Sequence, residues 1–205
     1  MNTVQLLALS STLKHFAAAT GFPDAWHHAL TVANFISNTP KPWSRATLSG
    51  HLTASAWVLD RTRTHAAMIH HRKLNRWLQP GGHIEGTDAS WRAAAQREVS
   101  EETGLARFIE QANDAELFDV DVHPIPARTD EPAHFHHDLR FLFIADVDAT
   151  ANPSLTINAE ESLDCRWFSL AALAKDAALG PSMRRMMTRS REDASLQALR
   201  DTLSR

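Results

Sequence analysis

Three glutamates near the middle of the chain have a spacing that suits a divalent metal ion. Glu98, Glu101 and Glu102 follow a glycine-rich stretch, residues 81–86, and belong to a predicted short helix. An α-helix turns by about 100° per residue, so positions i, i+3 and i+4 share one face. Three carboxylates there repel one another unless a cation lies among them. Oxygen-rich clusters suit Mg²⁺ or Mn²⁺, and the alternative is an exposed acidic helix with solvated glutamates.

The run from Arg97 to Leu105 resembles the signature of the Nudix hydrolases, which cleave nucleoside diphosphates linked to another group. It reads Arg, Glu, aliphatic, any, Glu, Glu, any, Gly, aliphatic, and it matches the second half of that signature at every defined position. The first half departs from the signature, because the interval from Gly82 to Arg97 is one residue longer than usual. The family's acidic residue in this interval therefore falls on Asp88 or on Ala89. The carboxylate face is unaffected, because the insertion precedes the helix.

The resemblance implies a role for the residues around this helix. Glu98, Glu101 and Glu102 would be metal ligands, and the backbone carbonyl of Gly82 would be another, since a residue without a side chain lets its carbonyl approach the ion closely. Glu98 or a neighbouring acid would also act as the general base. Arg97 would orient a glutamate, because a guanidinium fork fits a carboxylate. Glu98, Glu101, Glu102 and Arg97 are thus the implied catalytic residues.

Related enzymes often take a further acid from a loop before the last strand. Glu160 and Glu161 lie just ahead of a short predicted strand at 164–168. Glu161 is the preferred metal ligand of the two, and the alternative is that both are simply solvated. The implied cofactor is Mg²⁺ or Mn²⁺, which would neutralise the phosphoryl oxygens and make a bound water easier to deprotonate.

Other motifs resemble one poorly characterised bacterial branch of the same superfamily. They are residues 50–57, 70–74, 77–83 and 123–128. These motifs are specific to the branch, but they identify no substrate.

Histidines form a second candidate site, since the chain has 12 of them. Alternation along a strand entered at His134 places four polar side chains on one face: His134, His136, Asp138 and Arg140. The preceding strand repeats the pattern with Asp119, Asp121 and His123. Two such faces side by side predict a substrate pocket, to which His83 beside Gly82 would add a phosphate contact. The alternatives are a solvent-facing side, or a separate transition-metal site at His134, His136 and Asp138.

Composition excludes several functional classes. The 205 residues carry a formal charge of −3, so nothing indicates general attraction to nucleic acid or to an anionic membrane. Cys165 is the single cysteine, which excludes an intramolecular disulfide and favours a reducing compartment. Neither a signal peptide nor an apolar run of about 18 residues is found, so we expect a cytoplasmic protein.

The order of predicted elements indicates an α/β protein of the α+β type. We expect helices at 3–19 and 24–37, strands at 53–59, 66–70, 116–123, 138–147 and 164–168, and further helices from about Ser169 and from Pro181. Interleaved strands and helices suggest an α/β/α sandwich with a mixed sheet, which agrees with the Nudix fold. The expected division is a helical extension at 1–45, a Nudix domain at 46–178 and a C-terminal helix at 179–205.

The leading functional hypothesis is metal-dependent hydrolysis of a diphosphate bridge in a small nucleotide derivative. The first alternative is a catalytically silent nucleotide-binding sensor of the same fold, although such relatives typically lose these glutamates. The second is a metal-binding protein built around the histidines. No nucleic-acid or membrane partner is expected. Relatives often form homodimers, but no feature of the sequence directly indicates one.

Overall fold

The computed structural model describes residues 1–109, 116–128, 131–151 and 153–192. Its α-helices are α1 (Thr3–Ala19), α2 (Pro23–Asn38), α3 (Trp91–Thr103), α4 (Leu170–Leu173) and α5 (Pro181–Glu192). Its strands are β1 (Gly50–Leu59), β2 (His65–His71), β3 (Arg76–Leu78), β4 (Gly81–His83), β5 (Phe108–Ile109), β6 (Asp119–Ile125), β7 (His134–Ala145) and β8 (Ser162–Ser169). A 3-10 turn covers Ala149–Ala151. The predicted fold class, a mixed sheet with flanking helices of the α+β type, is confirmed.

The chain divides into two compact units. The first unit comprises Met1–Ala56, Gly81–Ser100 and Gln111–Leu142, and the second comprises Trp57–Pro80, Glu101–Glu110 and Phe143–Arg205. The boundary falls within β1, α3 and β7, so each of these elements contributes one end to each unit. The sequence predicted three consecutive segments, at 1–45, 46–178 and 179–205, whereas each unit here is built from separate stretches of chain. The three-segment division stays a prediction.

Helices α1 and α2 pack against each other in the first unit, and α2 also packs on β6. Asn2 and Gln5 cap α1 reciprocally, each side chain accepting from the other's backbone N–H at 3.0 and 2.8 Å. Pro23 begins α2, where a missing N–H is tolerated. The buried face consists of Leu9, Leu13, Phe16, Ala17, Ala25, Ala29, Val32, Ala33 and Ile36. Both predicted N-terminal helices are confirmed.

The strands of the first unit bring polar residues of distant sequence together. Strand β4 pairs with β1 in the register Thr53 with His83 and Ala54 with Gly82. Strand β6 pairs antiparallel with β7, and its register places Asp121 opposite Asp138. The adjacency of the two polar strands, predicted from their alternation, is therefore confirmed.

Strand β2 pairs with three other strands in the second unit. It pairs antiparallel with the end of β1, with β3 and with β8. Ser169 ends β8 and caps α4, because its hydroxyl accepts from the backbone N–H of Ala172 at 3.1 Å. The strands predicted at 66–70 and 164–168 are confirmed, as are the helices predicted to begin near Ser169 and at Pro181.

Two predicted strand boundaries are wrong. The strand expected at 116–123 spans Asp119–Ile125, and the one expected at 138–147 spans His134–Ala145. The pairing of Pro124 with Phe135 and of Ile125 with His134 carries β6 past its predicted end and begins β7 ahead of its predicted start. Cross-strand hydrogen bonding, and not the run of apolar residues, thus sets these ends.

Candidate active site

Helix α3 carries the three predicted glutamates and has well-defined ends. The hydroxyl of Ser90 accepts from the backbone N–H of Ala93 at 3.0 Å, so Ser90 caps the helix. Gly104 follows the helix with φ of +72°, a conformation that favours glycine and ends the helix. One face of α3 is apolar and buried, through Trp91, Ala94, Ala95 and Val99.

The glutamates of α3 are not simply solvated. Glu98 is 8% exposed and Glu102 is 3% exposed, whereas Glu101 is open to solvent. Burial of a carboxylate is costly unless charged or hydrogen-bonding groups compensate it. The alternative of an exposed acidic helix therefore fails for two of the three residues.

Glu98 lies directly over Gly82. A β-carbon added to Gly82 would stand 2.7 Å from Oε2 of Glu98 and 2.9 Å from its carboxyl carbon. Only glycine leaves space for the carboxylate here, so a side-chain oxygen and a main-chain peptide lie in contact. Both were predicted metal ligands, and the structure brings them together.

Arg97 holds this carboxylate in place and is itself held by a network of hydrogen bonds. Its guanidinium donates to Glu98 Oε1 at 3.0 Å, to the carbonyl oxygen of His83 at 2.9 Å, and to both carboxylate oxygens of Asp88 at 3.0 and 3.1 Å. Asp88 also accepts from the backbone N–H of Glu85 at 2.8 Å. The predicted geometry, an arginine orienting a glutamate, is present.

Electrostatics strengthens the pair of Arg97 and Asp88. Burial opposes ionisation of Asp88, but the hydrogen bonds from Arg97 and from the backbone outweigh burial and leave its pKa below the ordinary value. The hydrogen bonds to Asp88 raise the pKa of Arg97, against an opposing effect of burial. Both groups are thus charged over the whole physiological range. Asp88 is thus an acid of the lengthened interval that pairs with Arg97, and its match to the family's acid stays a prediction.

The remaining predicted ligands lie in the second unit. The charge of Glu102 acts on the thiol of Cys165 in this unit. Burial first, and then the charges of Glu102 and Asp164, raise the pKa of that thiol to about 12. Glu161 is exposed, and its carbonyl oxygen accepts from the backbone N–H of Arg72 at 2.8 Å. The metal-binding roles of Glu101, Glu102 and Glu161 stay predictions.

The predicted histidines of the first unit gather around His51. The ring centroid of His51 lies 5.1 Å from that of His83, 5.0 Å from that of His134 and 4.8 Å from that of His136. Burial and the neighbouring histidines lower the pKa of His51 to about 4 and that of His136 to about 2. Both rings are therefore neutral imidazoles at pH 7.

Asp138 and Arg140 belong to a buried ionic network. Arg140 donates to Asp138 at 2.8 Å, to Asp119 at 3.2 Å and to Asp121 at 3.1 Å. Thr53 and Ser55 donate to the two carboxylate oxygens of Asp138, at 3.0 and 2.7 Å. These acids and Arg140 are buried, so a solvent-facing side is excluded for them.

Asp121 links this network to two histidines. Its carboxylate oxygens lie 3.1 Å from Nδ1 of His28 and 3.3 Å from Nδ1 of His123. Burial opposes ionisation of Asp121, but the charge of Arg140 and the two neighbouring histidines hold its pKa far below the ordinary value. The acids in turn raise the pKa of Arg140 despite its burial.

A family model described as the NUDIX domain matches residues 50–189. The chain belongs to the NUDIX family. The family hydrolyses nucleoside diphosphate derivatives, so this NUDIX protein is assigned to hydrolases of that class. A comparison with curated proteins found no match. In the described part of the chain, no helix is both long and apolar enough to cross a membrane.

Solved structures of NUDIX hydrolases are similar to this chain in fold. A binary complex of an Ap4A hydrolase from C. elegans has a TM-score of 0.50 at 14% identity, over 67% of this chain and 93% of that one. A NUDIX-family hydrolase from Clostridium perfringens has a TM-score of 0.49 at 21% identity, over 73% of this chain and 97% of that one. A MutT protein from Methanosarcina mazei has a TM-score of 0.47 at 16% identity, over 72% of this chain and 96% of that one. At 14% identity the C. elegans structure shows a shared fold and not a shared substrate.

Two residues of the NUDIX protein have contacts that the sequence alone did not predict. Asp88 forms the ion pair with Arg97, and the only signal for it was the family's acid in an interval of ambiguous length. His51 lies at the centre of the histidine group, although it is far from the other histidines in sequence. Its position follows from the pairing of β1 with two strands, β4 and β7, which carry the other histidines.

Proposed function

We propose that this NUDIX protein is a divalent-metal-dependent pyrophosphohydrolase. The observation that carries the proposal is the contact of the Glu98 carboxylate with Gly82, held by the guanidinium of Arg97. The donors around it are carboxylate and carbonyl oxygens, which are the ligands that Mg²⁺ and Mn²⁺ prefer. The residues present therefore fit the ion that the family requires.

The proposed ligands are Gly82 through its carbonyl, Glu98, Glu101, Glu102 and Glu161. When bound, Mg²⁺ or Mn²⁺ supplies charge neutralisation on the phosphoryl oxygens and lowers the pKa of a water molecule. Arg97 positions Glu98, because its guanidinium is itself fixed by Asp88 and by the carbonyl oxygen of His83. Glu98 or a neighbouring acid accepts a proton from the attacking water.

The reaction is attack of water on one phosphorus of the diphosphate bridge. A bond forms between the water oxygen and that phosphorus, and the bond from the same phosphorus to the bridging oxygen breaks. The bridging oxygen leaves with the other phosphate. The products are a nucleoside monophosphate and the phosphorylated remainder of the substrate.

The histidine group and the acidic network are proposed to form the substrate pocket, in which His83 contacts a phosphate. The residues concerned are His83, His134, His136, Asp138 and Arg140. The substrate is a small nucleotide derivative. Its identity, a homodimeric state, the expected lack of nucleic-acid and membrane partners, and the cytoplasmic location all stay predictions.

A substrate panel tests the proposal. Nucleotides and nucleotide sugars are incubated with Mg²⁺ or Mn²⁺, and released phosphate and nucleoside monophosphate are measured. We expect turnover of at least one compound, its loss on chelation, and a fall of about 10²-fold or more for Glu101→Gln. Glu116→Gln, which changes an exposed glutamate outside α3, serves as the matched control.

Two results would overturn the proposal. Unchanged turnover in Glu101→Gln on the identified substrate would exclude a role for the carboxylate face. Nucleotide binding without metal-dependent turnover across the panel would favour the silent sensor instead.

A further inference from the structure

Three histidines from three strands place ring nitrogens close together in the first unit. His51 comes from β1, His83 from β4 and His136 from β7. One ring nitrogen of each lies within 4.8 Å of the other two. The rings of His83 and His136 are nearly perpendicular, at 84°, so the three rings do not form a parallel stack. Proximity of nitrogens from different rings is one condition for binding a metal ion.

The separation of these nitrogens is close to that of an occupied site. A tetrahedral ion with zinc–nitrogen bonds of about 2.05 Å holds its ligand nitrogens about 3.4 Å apart. The nitrogens here are at most 4.8 Å apart. Each pair of nitrogens therefore needs to approach by at most about 1.4 Å to reach the spacing of an occupied site. Rotation of histidine rings about χ2, which has a broad energy well, supplies much of this movement.

His51 provides a second and independent observation. It is 1% exposed, and neither of its ring nitrogens has a hydrogen-bond partner in the part of the chain that the structure describes. A buried imidazole normally donates from one nitrogen and accepts at the other, and leaving both unsatisfied is costly. A metal ion accepts the lone pair of one nitrogen and so compensates part of that cost.

The histidine site is separate from the proposed magnesium ligands. Glu98 lies where a side chain of Gly82 would be, and successive residues of a strand point to opposite faces. The His83 side chain is therefore on the other face of β4. Thr53 is the strand partner of His83 and lies on the same side of the sheet. The hydroxyl of Thr53 donates to Asp138, which is two residues from His136 and on the same face of β7.

The surroundings of the site suit a cation. His134 stacks on His51, and its Nδ1 donates to the carbonyl oxygen of Pro132 at 2.9 Å, which fixes the ring. The ring of His123 lies 5.5 Å from that of His136 and connects it to Asp121. Three buried carboxylates surround Arg140 in the adjoining network, so the excess charge there is negative.

We propose that His51, His83 and His136 form a three-nitrogen site for a divalent transition metal of the Zn²⁺ class. Imidazole ligands suit such ions, whereas Mg²⁺ prefers oxygen, so the site would discriminate against Mg²⁺. Three protein ligands leave a fourth position open, as in catalytic zinc sites. The set differs from the predicted one, because Asp138 is already engaged by Thr53, Ser55 and Arg140.

Metal binding to the full chain tests this site without any substrate. The chain is stripped with a chelator and dialysed, and Zn²⁺ is then titrated against a chromophoric chelator in the presence of excess Mg²⁺. We expect about one equivalent to bind, with a loss of affinity of about 100-fold or more in His51→Asn and in His136→Asn. His27→Asn, an exposed histidine on α2, should bind as the unaltered chain does.

Cobalt gives a second readout. A Co²⁺ ion at a tetrahedral nitrogen site absorbs visible light strongly, whereas octahedral oxygen ligation gives only weak bands. We expect strong absorption in the unaltered chain and its loss in His136→Asn. Because His136 is partly exposed, this variant decides the question even if His51→Asn fails to fold.

The outcomes separate this proposal from the hydrolase proposal. Glu101→Gln should lose turnover and keep its Zn²⁺ affinity, because Glu101 belongs to the other set of ligands. Failure to retain Zn²⁺ in the presence of Mg²⁺, or equal affinity in the unaltered chain and His136→Asn, would overturn the histidine site. Absence of turnover on every nucleotide would leave the Zn²⁺ result unaffected.

Discussion

Gly82→Ala is the sharpest perturbation of the carboxylate site. The added β-carbon would lie 2.7 Å from Oε2 of Glu98, and ordinary contact begins at 3.4 Å. The carboxylate must therefore move by about 0.7 Å. It cannot move freely, because Arg97 holds its other oxygen at 3.0 Å and is itself fixed by Asp88.

The expected cost falls on catalysis and not on folding. A misplacement of about 1 Å in a catalytic group costs about 10²-fold in rate, so we expect kcat to fall by about 30- to 100-fold. Stability should change by about 1 kcal/mol or less, because the clash is with the end of a side chain and not with the backbone. The Mg²⁺ concentration for half-maximal activity should rise, because a ligand has moved.

Gly86→Ala is the matched control. Gly86 lies four residues further along, in the turn that follows β4, and a β-carbon there would meet no atom within 4 Å. The assay is steady-state turnover of the best substrate of the panel across a Mg²⁺ series, with thermal unfolding of each variant. Equal kcat and equal Mg²⁺ requirement in Gly82→Ala and Gly86→Ala would refute the reasoning that Glu98 needs its observed position.

Three further predictions concern the charged groups. Asp88→Asn should lower kcat by about 10-fold while leaving KM nearly unchanged, because it weakens the anchor of Arg97; unchanged kcat would show that the ion pair has no positioning role. Arg140→Met should lower the free energy of unfolding in urea by about 3–5 kcal/mol, because the buried carboxylates lose their counter-charge. The control is Arg166→Met, which should cost less than about 0.5 kcal/mol because the side chain of Arg166 is 65% exposed. The pKa of Asp121 is lower in the folded chain than in the unfolded chain, where it is near 3.8. The resulting stability is fully present above pH 3.8 and is lost as the pH falls towards the pKa of the folded chain. In urea unfolding at pH 7, 4 and 3, the free energy of unfolding should therefore fall more steeply with decreasing pH in the unaltered chain than in Asp121→Asn. Equal dependence on pH in the two chains would contradict the assignment.

The sequence predicted the elements that have strong local signals. Helix α3 was predictable because Ser90 can cap its start, Gly104 can adopt the positive φ at its end, and the glutamates have helical spacing. Alternation of polar and apolar residues predicted that β6 and β7 would carry adjacent polar faces, which their register confirms. These features depend on residues close together in sequence.

The sequence did not predict features that depend on pairing between distant residues. Strands β3, β4 and β5 have three, three and two residues, too few to show a period, and β4 was expected to be only a glycine loop. Gly81 pairs with Ser55 at φ of +151°, which no local rule indicates. His51 joins the other histidines because β1 pairs with both β4 and β7.

The central claim is that the carboxylates of α3 hold a divalent cation. Its most direct test is a Mn²⁺ titration of the full chain, with free ion measured by electron paramagnetic resonance. We expect Glu98→Gln to weaken Mn²⁺ binding by about 10-fold or more, and Glu116→Gln to leave it unchanged. Equal binding in Glu98→Gln, Glu116→Gln and the unaltered chain would contradict the claim.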